Sequence, residues 1–527
     1  MNGKKISLRA KLFKPRSHDY RAVTIKTETN GGGIKTLIIA LLIAVQLGFL
    51  IYLHVSFAFA FKWWVVISFI LSVTCCVFVL SSEKNGLSKA VWIIFLLLCF
   101  TFSVPIFILS DERIFFRRAK KKYVKVFKRS KNCLKDDFLN LNAGDCVVAD
   151  CEYLYNTGKF IAYNGSSVNY FPSGYLFFEE VINRLKQAEK FIFIEYYIVS
   201  EGVLFNRIYD VLSEKVNKGV DVRIIFDDMG SHRGLTRKVK KKLKLLGIKI
   251  MPFNRLVPVF AVGLNYRDHR KIIIIDGKVA FTGGCNLADE YINEKRMHGY
   301  WKDNGVIVRG RAVDAFTLIF LRQWEYLTGV KEDYSLFFNN FEKLESKYTV
   351  VPYADGLEYN LPIGKGVYEN VIIGAKEKVY IMTPYFIPDD TFFNLLVNKA
   401  LSGVEVKIFI PQIPDKNYVY CVSRNNAEKL VGYGVKVFTV NNTFLHSKVV
   451  MSENAVSTGS INVDLRSFYQ QFENAVYTDS QEFIKQVEKD FIDLESKSTL
   501  LDKDNLKSNN FFYKIFAGLL QIFAPLM

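Results

Sequence analysis

The sequence predicts an α/β protein built twice: two tandem domains, each a mixed sheet flanked by helices, behind an N-terminal transmembrane helical region. Three observations predict it. Apolar strand patterns alternate with helical stretches through the second two thirds of the chain. The same series of patterns occurs twice, and three long hydrophobic stretches nearly free of charge precede both copies.

Residues 1–36 form a basic arm, expected on the cytoplasmic side, with a flexible break at Asn30-Gly-Gly-Gly33. Residues 37–110 follow as the transmembrane region, with apolar stretches at about 37–61, 63–81 and 90–110, each long enough to span or nearly span a bilayer core of ~30 Å. A cleaved signal peptide is excluded by the long polar arm and the absence of a small-residue cleavage site after a short apolar core. Residues 111–135 are a second basic segment. The arm holds 9 Lys and Arg against 2 acids, the second segment 11 against 2, and the stretch between them 3 against 1. Together these carry the whole net charge of +18, so residues 136–527 are neutral. The basic character therefore belongs to the membrane flanks and suits anionic lipid headgroups; a nucleic-acid-binding groove is excluded. Basic flanks stay cytoplasmic, and three full spans would separate them. The expectation is that 90–110, which contains Pro105, is re-entrant, with the first two stretches a tight hairpin about Lys62.

The repeats define the catalytic half. Lys190–Ile198 and Lys378–Ile387 are apolar strands leading into Tyr-containing corners. After a helical stretch, Lys218–Phe226 and Ser402–Ile410 each place a glycine at the helix end before a buried strand. A further helix leads to Leu246–Met251 and to Tyr433–Phe438. These patterns give one domain over 136–345 and another over 346–510. The polar Lys331–Lys347 and the Gly- and Pro-containing Pro352–Gly366 read as the connection between them, and Tyr163–Gly174 as a loop. Residues 511–527 carry a single charge, are short for a span and read as an interfacial C-terminal helix.

Within the repeats lie two motifs 177 residues apart: His269-Arg-Lys271, Asp276 and Gly283-Gly-Cys-Asn286, then His446-Ser-Lys448, Glu453 and Gly459-Ser-Ile-Asn462. Ile272–Ile275, the Asp276-Gly277 turn pair and Val279–Thr282 read as a β-hairpin that lays Asn286 opposite His269. Residues two apart on a strand share a face, so His269 and Lys271 point together. Five extended residues put Asp276 roughly 16 Å from Lys271, which assigns it to the turn. The second hairpin is one residue shorter, with Glu453 at the acidic position. One lone His-x-Lys is ordinary; two copies, each trailed by a Gly-[Gly/Ser]-x-Asn return strand, are not accidental.

Two such halves suit phosphodiester exchange without a metal. A neutral imidazole attacks phosphorus and a second, protonated one serves the leaving oxygen. Lys271 and Lys448, with Asn286 and Asn462, supply donors for the non-bridging oxygens.

Asn265–Lys271, Asn286–Tyr291, Tyr300–Asp303, Thr383–Pro388, Leu465–Phe468 and Phe472-Glu473 resemble bacterial cardiolipin synthases of the phospholipase D superfamily. The resemblance runs from about Asp136 to Glu495 and implies two tandem phospholipase D-like domains. It further implies transfer of a phosphatidyl group between two phosphatidylglycerols with release of glycerol, and an acid for each histidine, by position Asp303 and Glu473. By the same analogy His269 is the nucleophile and His446 the acid/base; the residues themselves leave the swapped assignment open. Other superfamily activities stay open too: hydrolysis to phosphatidic acid, phosphatidylserine synthesis or use of a phosphatidylethanolamine donor. So does a non-catalytic membrane protein with a decayed second motif.

No cofactor or metal is expected: the 8 cysteines form no Cys-x-x-Cys pair and no ligand spacing with the 6 histidines. His18, His54, His232 and His298 have no partner motif. Expected partners are phosphatidylglycerol and anionic membrane lipids, with no nucleic acid; oligomeric state is open. The expected location is the bacterial cytoplasmic membrane, catalytic domains on the cytoplasmic side.

Overall fold

The computed structural model describes residues 144–527 except 256–265, 503, 508 and 509, and before them residues 63–82, 86–110 and 117–134 with parts of 41–57. The basic arm and the glycine break lie outside the described residues, and the first hydrophobic stretch is described only in part.

Two sheets organise the body. The first joins β1 (Ser166–Phe171), β2 (Phe191–Tyr196), β3 (Asp221–Asp227), β4 (Lys249–Phe253), β5 (Lys271–Ile275), β6 (Val279–Gly283) and β8 (Gly305–Gly310) in the order β1-β8-β6-β5-β2-β3-β4. Short β7 (Tyr300–Lys302) lies outside it. The second joins β9 (Val350–Ala354), β10 (Lys378–Met382), β12 (Glu405–Pro411), β13 (Lys436–Val440), β15 (Val449–Ser452), β16 (Val456–Gly459), β18 (Asn474–Thr478) and β19 (Ser498–Leu500) in the order β19-β13-β12-β10-β15-β16-β18-β9. Apart from β19, the two orders correspond strand for strand. In each sheet three strands run parallel, β2-β3-β4 and β10-β12-β13, and the remaining pairs are antiparallel. The duplicated α/β plan with mixed sheets is thus present.

Local sequence accounts for the elements. Ile272–Ile275 are β-branched and buried on both faces, as a central strand requires. Gly219 and Gly403 end equivalent helices with φ of 87° and 89°, the left-handed turn that glycine adopts without strain. Ser173, Asp389 and Ser480 cap helices with side-chain acceptors. The helix Val313–Thr328 is buried from Val313 to Glu325 and packs beneath the first sheet, beside β9.

Three expectations are corrected. Tyr163–Gly174 contains β1, whose Ser166, Val168 and Tyr170 alternate inward; the polar Ser167 and Asn169 take outward positions. Pro352–Gly366 contains the end of β9 and the start of the helix Ile363–Gly374. The hairpin register differs as well. Ile275 pairs with Val279, so the turn holds three residues, with Asp276 and Gly277 both at positive φ. Continuing that register sets Lys271 against Gly283 and moves the expected pairing of Asn286 with His269 by one residue.

Before the catalytic body, helices Trp64–Leu80, Gly86–Leu98 and Phe100–Ser110 pack together around Cys75, Val79, Leu96 and Phe107. Most other large apolar side chains of these helices face outward. Among the described residues no helix is long and apolar enough to cross a membrane. Pro105 sits inside the last of the three.

Candidate active site

The His-x-Lys motifs open β5 and β15, central strands of the two sheets, and the halves meet through these strand ends. His269 donates its backbone N–H to Phe472 O at 2.8 Å, and His446 donates to Lys302 O at 2.7 Å. A parallel pairing of β14 (Thr443–Leu445) with β7 reinforces the second of these joins.

The acids cross over. Glu473, from the second half, holds His269 Nδ1 with its two oxygens at 2.9 and 3.0 Å. Asp303, from the first half, lies 2.7 Å from His446 Nδ1. Each histidine is therefore oriented by the opposite half, and both motifs share one buried polar cluster. Asp303 and Glu473 each precede an asparagine that repeats the exchange. Asn474 Oδ1 accepts from Lys271 N at 3.0 Å, and Asn304 Oδ1 accepts from Lys448 N at 3.4 Å. Their amides donate to Thr282 and Thr458 on the neighbouring return strands.

These asparagines escaped sequence reasoning, although the doublets Asp303-Asn304 and Glu473-Asn474, each before a small residue and valine, are visible as a repeat. Ser460 and Ser467 lie within the sequence motifs but carried no role there; their hydroxyls donate to Glu473. Ser460 is the counterpart of Gly284, where a Cβ would stand 2.1 Å from Asp303 Oδ1. Glycine at that position permits the first half's acid to approach.

Burial sets the electrostatics. Lys271 and Lys448 are sunk among protein atoms, which lowers their ammonium groups to about 7 and about 8, with Glu473 and Asp303 acting against the shift. Burial, and then the nearby lysines, push His269 well below its ordinary range and His446 down to about 4. These surroundings hold both imidazoles neutral at neutral pH. Burial raises Glu473 to about 7 against the opposing lysine and serine donors. Lys271 Nζ donates to His269 O at 2.6 Å, and Lys448 Nζ lies 2.8 Å from His446 Nδ1.

Asn286 uses its amide locally, accepting from Ile198 N at 3.2 Å and donating to Tyr291 Oη at 2.6 Å. Asn462 is buried, and its Oδ1 has no hydrogen-bond partner among the described residues. The rings around the histidines differ: Tyr197 faces His269, whereas Tyr291, Trp301 and Phe444 surround His446.

Asp276 and Glu453 stand at the far ends of their strands. Asp276 accepts from the backbone N–H of Glu189, Lys190 and Phe191 at 2.7 to 2.9 Å. Glu453 accepts from Lys376 N at 2.6 Å and Lys378 N at 3.2 Å. Both carboxylates secure the chain entering the neighbouring strand. The second turn has two residues, since Ser452 N bonds Ala455 O, and the extra methylene of Glu453 offsets the shorter reach.

Two α/β halves exchanging histidine, lysine and acid across one buried site define a duplicated His-x-Lys class of protein. Residues 181–324 and 368–494 match the family described as cardiolipin synthase, PLD-like domain. The chain belongs to that family. It is 35% identical over 356 residues to a cardiolipin synthase of Alkalihalophilus pseudofirmus, covering 66% of this chain and 70% of the relative. A cardiolipin synthase of Staphylococcus aureus is 33% identical over 378 residues, covering 71% and 76%. An uncharacterised Streptococcus mutans protein is 37% identical over 377 residues, covering 71% and 82%. In three dimensions the chain resembles phosphatidylserine synthase of Haemophilus influenzae, with a TM-score of 0.56 at 16% identity over 72% of this chain and 97% of that one. That likeness concerns the fold.

Proposed function

We propose that the chain is a cardiolipin synthase, a phosphatidyltransferase that moves a phosphatidyl group from one phosphatidylglycerol to another and releases glycerol. The observation that carries this reading is the crossed pairing of Glu473 with His269 and Asp303 with His446, in a chain of this family. Glu473 accepts the hydrogen bond of His269 Nδ1–H, which fixes that tautomer and leaves the Nε2 lone pair as the nucleophile. Its lone pair forms the bond to phosphorus as the bond to the glycerol oxygen breaks, and His446 gives that oxygen its proton. The second phosphatidylglycerol then enters, His446 takes the proton from its headgroup hydroxyl, and the hydroxyl oxygen displaces His269.

Its surroundings hold His446 neutral, so its proton depends on the substrate. The phosphodiester brings a negative charge beside it and raises its proton affinity. Lys271, Lys448, Asn286 and Asn462 are proposed to hold the non-bridging oxygens, in a site too dry for water to supply that solvation. Asp276 and Glu453 are proposed to act through the strands alone.

We place the enzyme in the bacterial cytoplasmic membrane. The outward-facing apolar helices between Trp64 and Ser110 lie in the bilayer, 90–110 is re-entrant, and both catalytic domains face the cytoplasm. Residues 117–130 form a helix whose Lys121, Lys125 and Lys128 are exposed toward anionic headgroups. Reporter fusions after Leu109 test the topology; a periplasmic signal there overturns it.

Thin-layer analysis of lipids made by wild type, His269→Ala and His446→Ala, in a host lacking its own activity, tests the function. Cardiolipin is expected from wild type alone, and protein quenched with denaturant at neutral to mildly alkaline pH, where the histidine–phosphorus bond survives, carries a phosphatidyl label on His269. A label on His446 interchanges the two roles. Phosphatidic acid as the sole product makes the enzyme a hydrolase.

A further inference from the structure

The C-terminal helix Phe511–Gln521 turns an apolar stripe outward. Phe511, Phe512, Ile515, Phe516 and Leu519 are all exposed, Phe512 by 79% and Phe516 by 54%. Positions 511, 515 and 519, like 512 and 516, lie four apart and share a face. Single exposed apolar residues are ordinary, but a continuous stripe of large ones marks a contact surface.

The helix that presents this stripe is firmly held. Asn510 caps it by accepting from Phe512 N and Tyr513 N. On the inner side Ala517 is buried, Tyr513 Oη donates to Cys421 O at 3.1 Å, and Asn426 donates to Gln521 at 3.3 Å. The chain after the helix then enters a small core: Ala524 is buried with Ile387, Val419 and Leu465. The inner face is packed, and among the described residues the outer one is uncovered.

The same small core also reaches the N-terminal helices. Leu87, in the first turn of the apolar helix Gly86–Leu98, packs against it, so the outward apolar surface of the N-terminal helices runs up to the C-terminal helix. Toward the catalytic centre, β11 (Phe386–Ile387) pairs with β17 (Val463–Asp464), directly after Asn462. Ile387 and Leu465 therefore tie the helix to the segments beside the candidate site.

We propose that the C-terminal helix lies in the membrane interface, its phenylalanines among the acyl chains, and seats the rim of the active site formed by Tyr385–Ile387 and Val463–Ser467 on the bilayer. This deepens the reading given under Proposed function, since it takes the substrate to be a membrane lipid. Lys514, exposed on the same helix, reaches up to the phosphate layer. The surface fits a flat apolar layer under an anionic one.

Full-length protein in vesicles of phosphatidylglycerol and phosphatidylcholine tests the proposal without reference to catalysis. Phe516→Trp adds a fluorophore, read as the difference from unsubstituted protein. Phosphatidylcholine brominated on its acyl chains is expected to quench the added emission while aqueous iodide does not. Quenching by iodide alone overturns the proposal. Shielding from both quenchers, the signature of a second copy covering the helix, overturns it too. In turnover, Phe512→Asp with Phe516→Asp is expected to lower kcat/KM on vesicles more than tenfold and to keep the rate on phosphatidylglycerol in detergent micelles within twofold. Unchanged vesicle activity, or equal loss in both systems, overturns it. If wild type makes no cardiolipin, the functional reading fails while the quenching result still decides the helix's place.

Discussion

The two halves match strand for strand, yet the layer beneath their histidines is charged in one and neutral in the other. Strand register equates Glu195, Asp268 and Arg270 of the first half with Met382, Leu445 and Ser447 of the second. All six are buried. Arg270 stands 3.7 Å from Glu195 and donates to Asp355 O at 2.7 Å and Glu473 O at 3.3 Å, both in the second half. Burial and the neighbouring Asp268 raise Glu195 far above the carboxylate range, with Arg270 acting against them. The fold therefore needs no charge at these positions, since the second half does without it. In the first half the charge ties Arg270 to the backbone of the acid that orients His269.

The sharpest test of the crossed arrangement lies in the acids. Glu473→Gln and Asp303→Asn are each expected to cost about 10³ to 10⁴ in kcat, because an amide holds the wrong imidazole tautomer. The crossing predicts where each change is seen: Glu473→Gln alters the nitrogen NMR signals of His269 and leaves those of His446, and Asp303→Asn does the reverse. Signals altered within the same half would break the comparison.

Next in size is Arg270→Met. It strands Asp268 without its counter-charge, and breaking one partner of a buried pair costs about 3 to 5 kcal/mol. Chemical denaturation measures the loss. An effect below about 1 kcal/mol would mean that a shared proton already neutralises Asp268 and Glu195.

The lysines sharpen the comparison through pH. A lowered lysine is charged below its folded value and loses charge as pH rises through it, about 7 for Lys271 and about 8 for Lys448. If both ammonium groups hold the phosphate, kcat/KM of the free enzyme falls across pH 7 to 8 and more steeply above. Lys271→Arg keeps its charge throughout and is expected to remove the lower step. A profile flat to pH 9 would show that neither ammonium is required.

Much of this site was legible because its chemistry needs particular side chains at fixed intervals on strands. The positions of His269 and Lys271 on one strand, the shorter second turn and both acids follow from spacing and family resemblance. The crossing of Glu473 and Asp303 does not, because a linear pattern places an acid after a motif and cannot say which sheet edge it faces. Ser467 was hidden by its short helix, and β1 by the polar residues that its edge position turns outward. Asn286 moved by one register step because two successive positive φ angles made a turn of three residues.

The turn carboxylates are expected to separate stability from catalysis. Asp276→Asn weakens three backbone bonds to a buried charge and should cost about 1.5 to 3 kcal/mol. Glu453→Gln weakens two at a less buried turn and should cost about 0.5 to 1 kcal/mol. Thermal melts read both, and kcat of the folded protein should stay within twofold. A large fall in kcat with no fall in stability would return these acids to the reaction.

Ser447→Ala probes the neutral layer with the smallest change. Arg270 and Ser447 both stand between histidine and lysine, but the Ser447 hydroxyl is fully buried and has no hydrogen-bond partner among the described residues. Removing a buried hydroxyl that bonds nothing takes away a desolvation cost of about 1 to 3 kcal/mol and leaves a small gap that offsets part of the gain. The expected result is a stability change between zero and about 1 kcal/mol in favour of alanine, with kcat unchanged. A loss of activity at unchanged stability would mean that the hydroxyl finds its partner in bound substrate, and the second half would then be specialised where it looks plain.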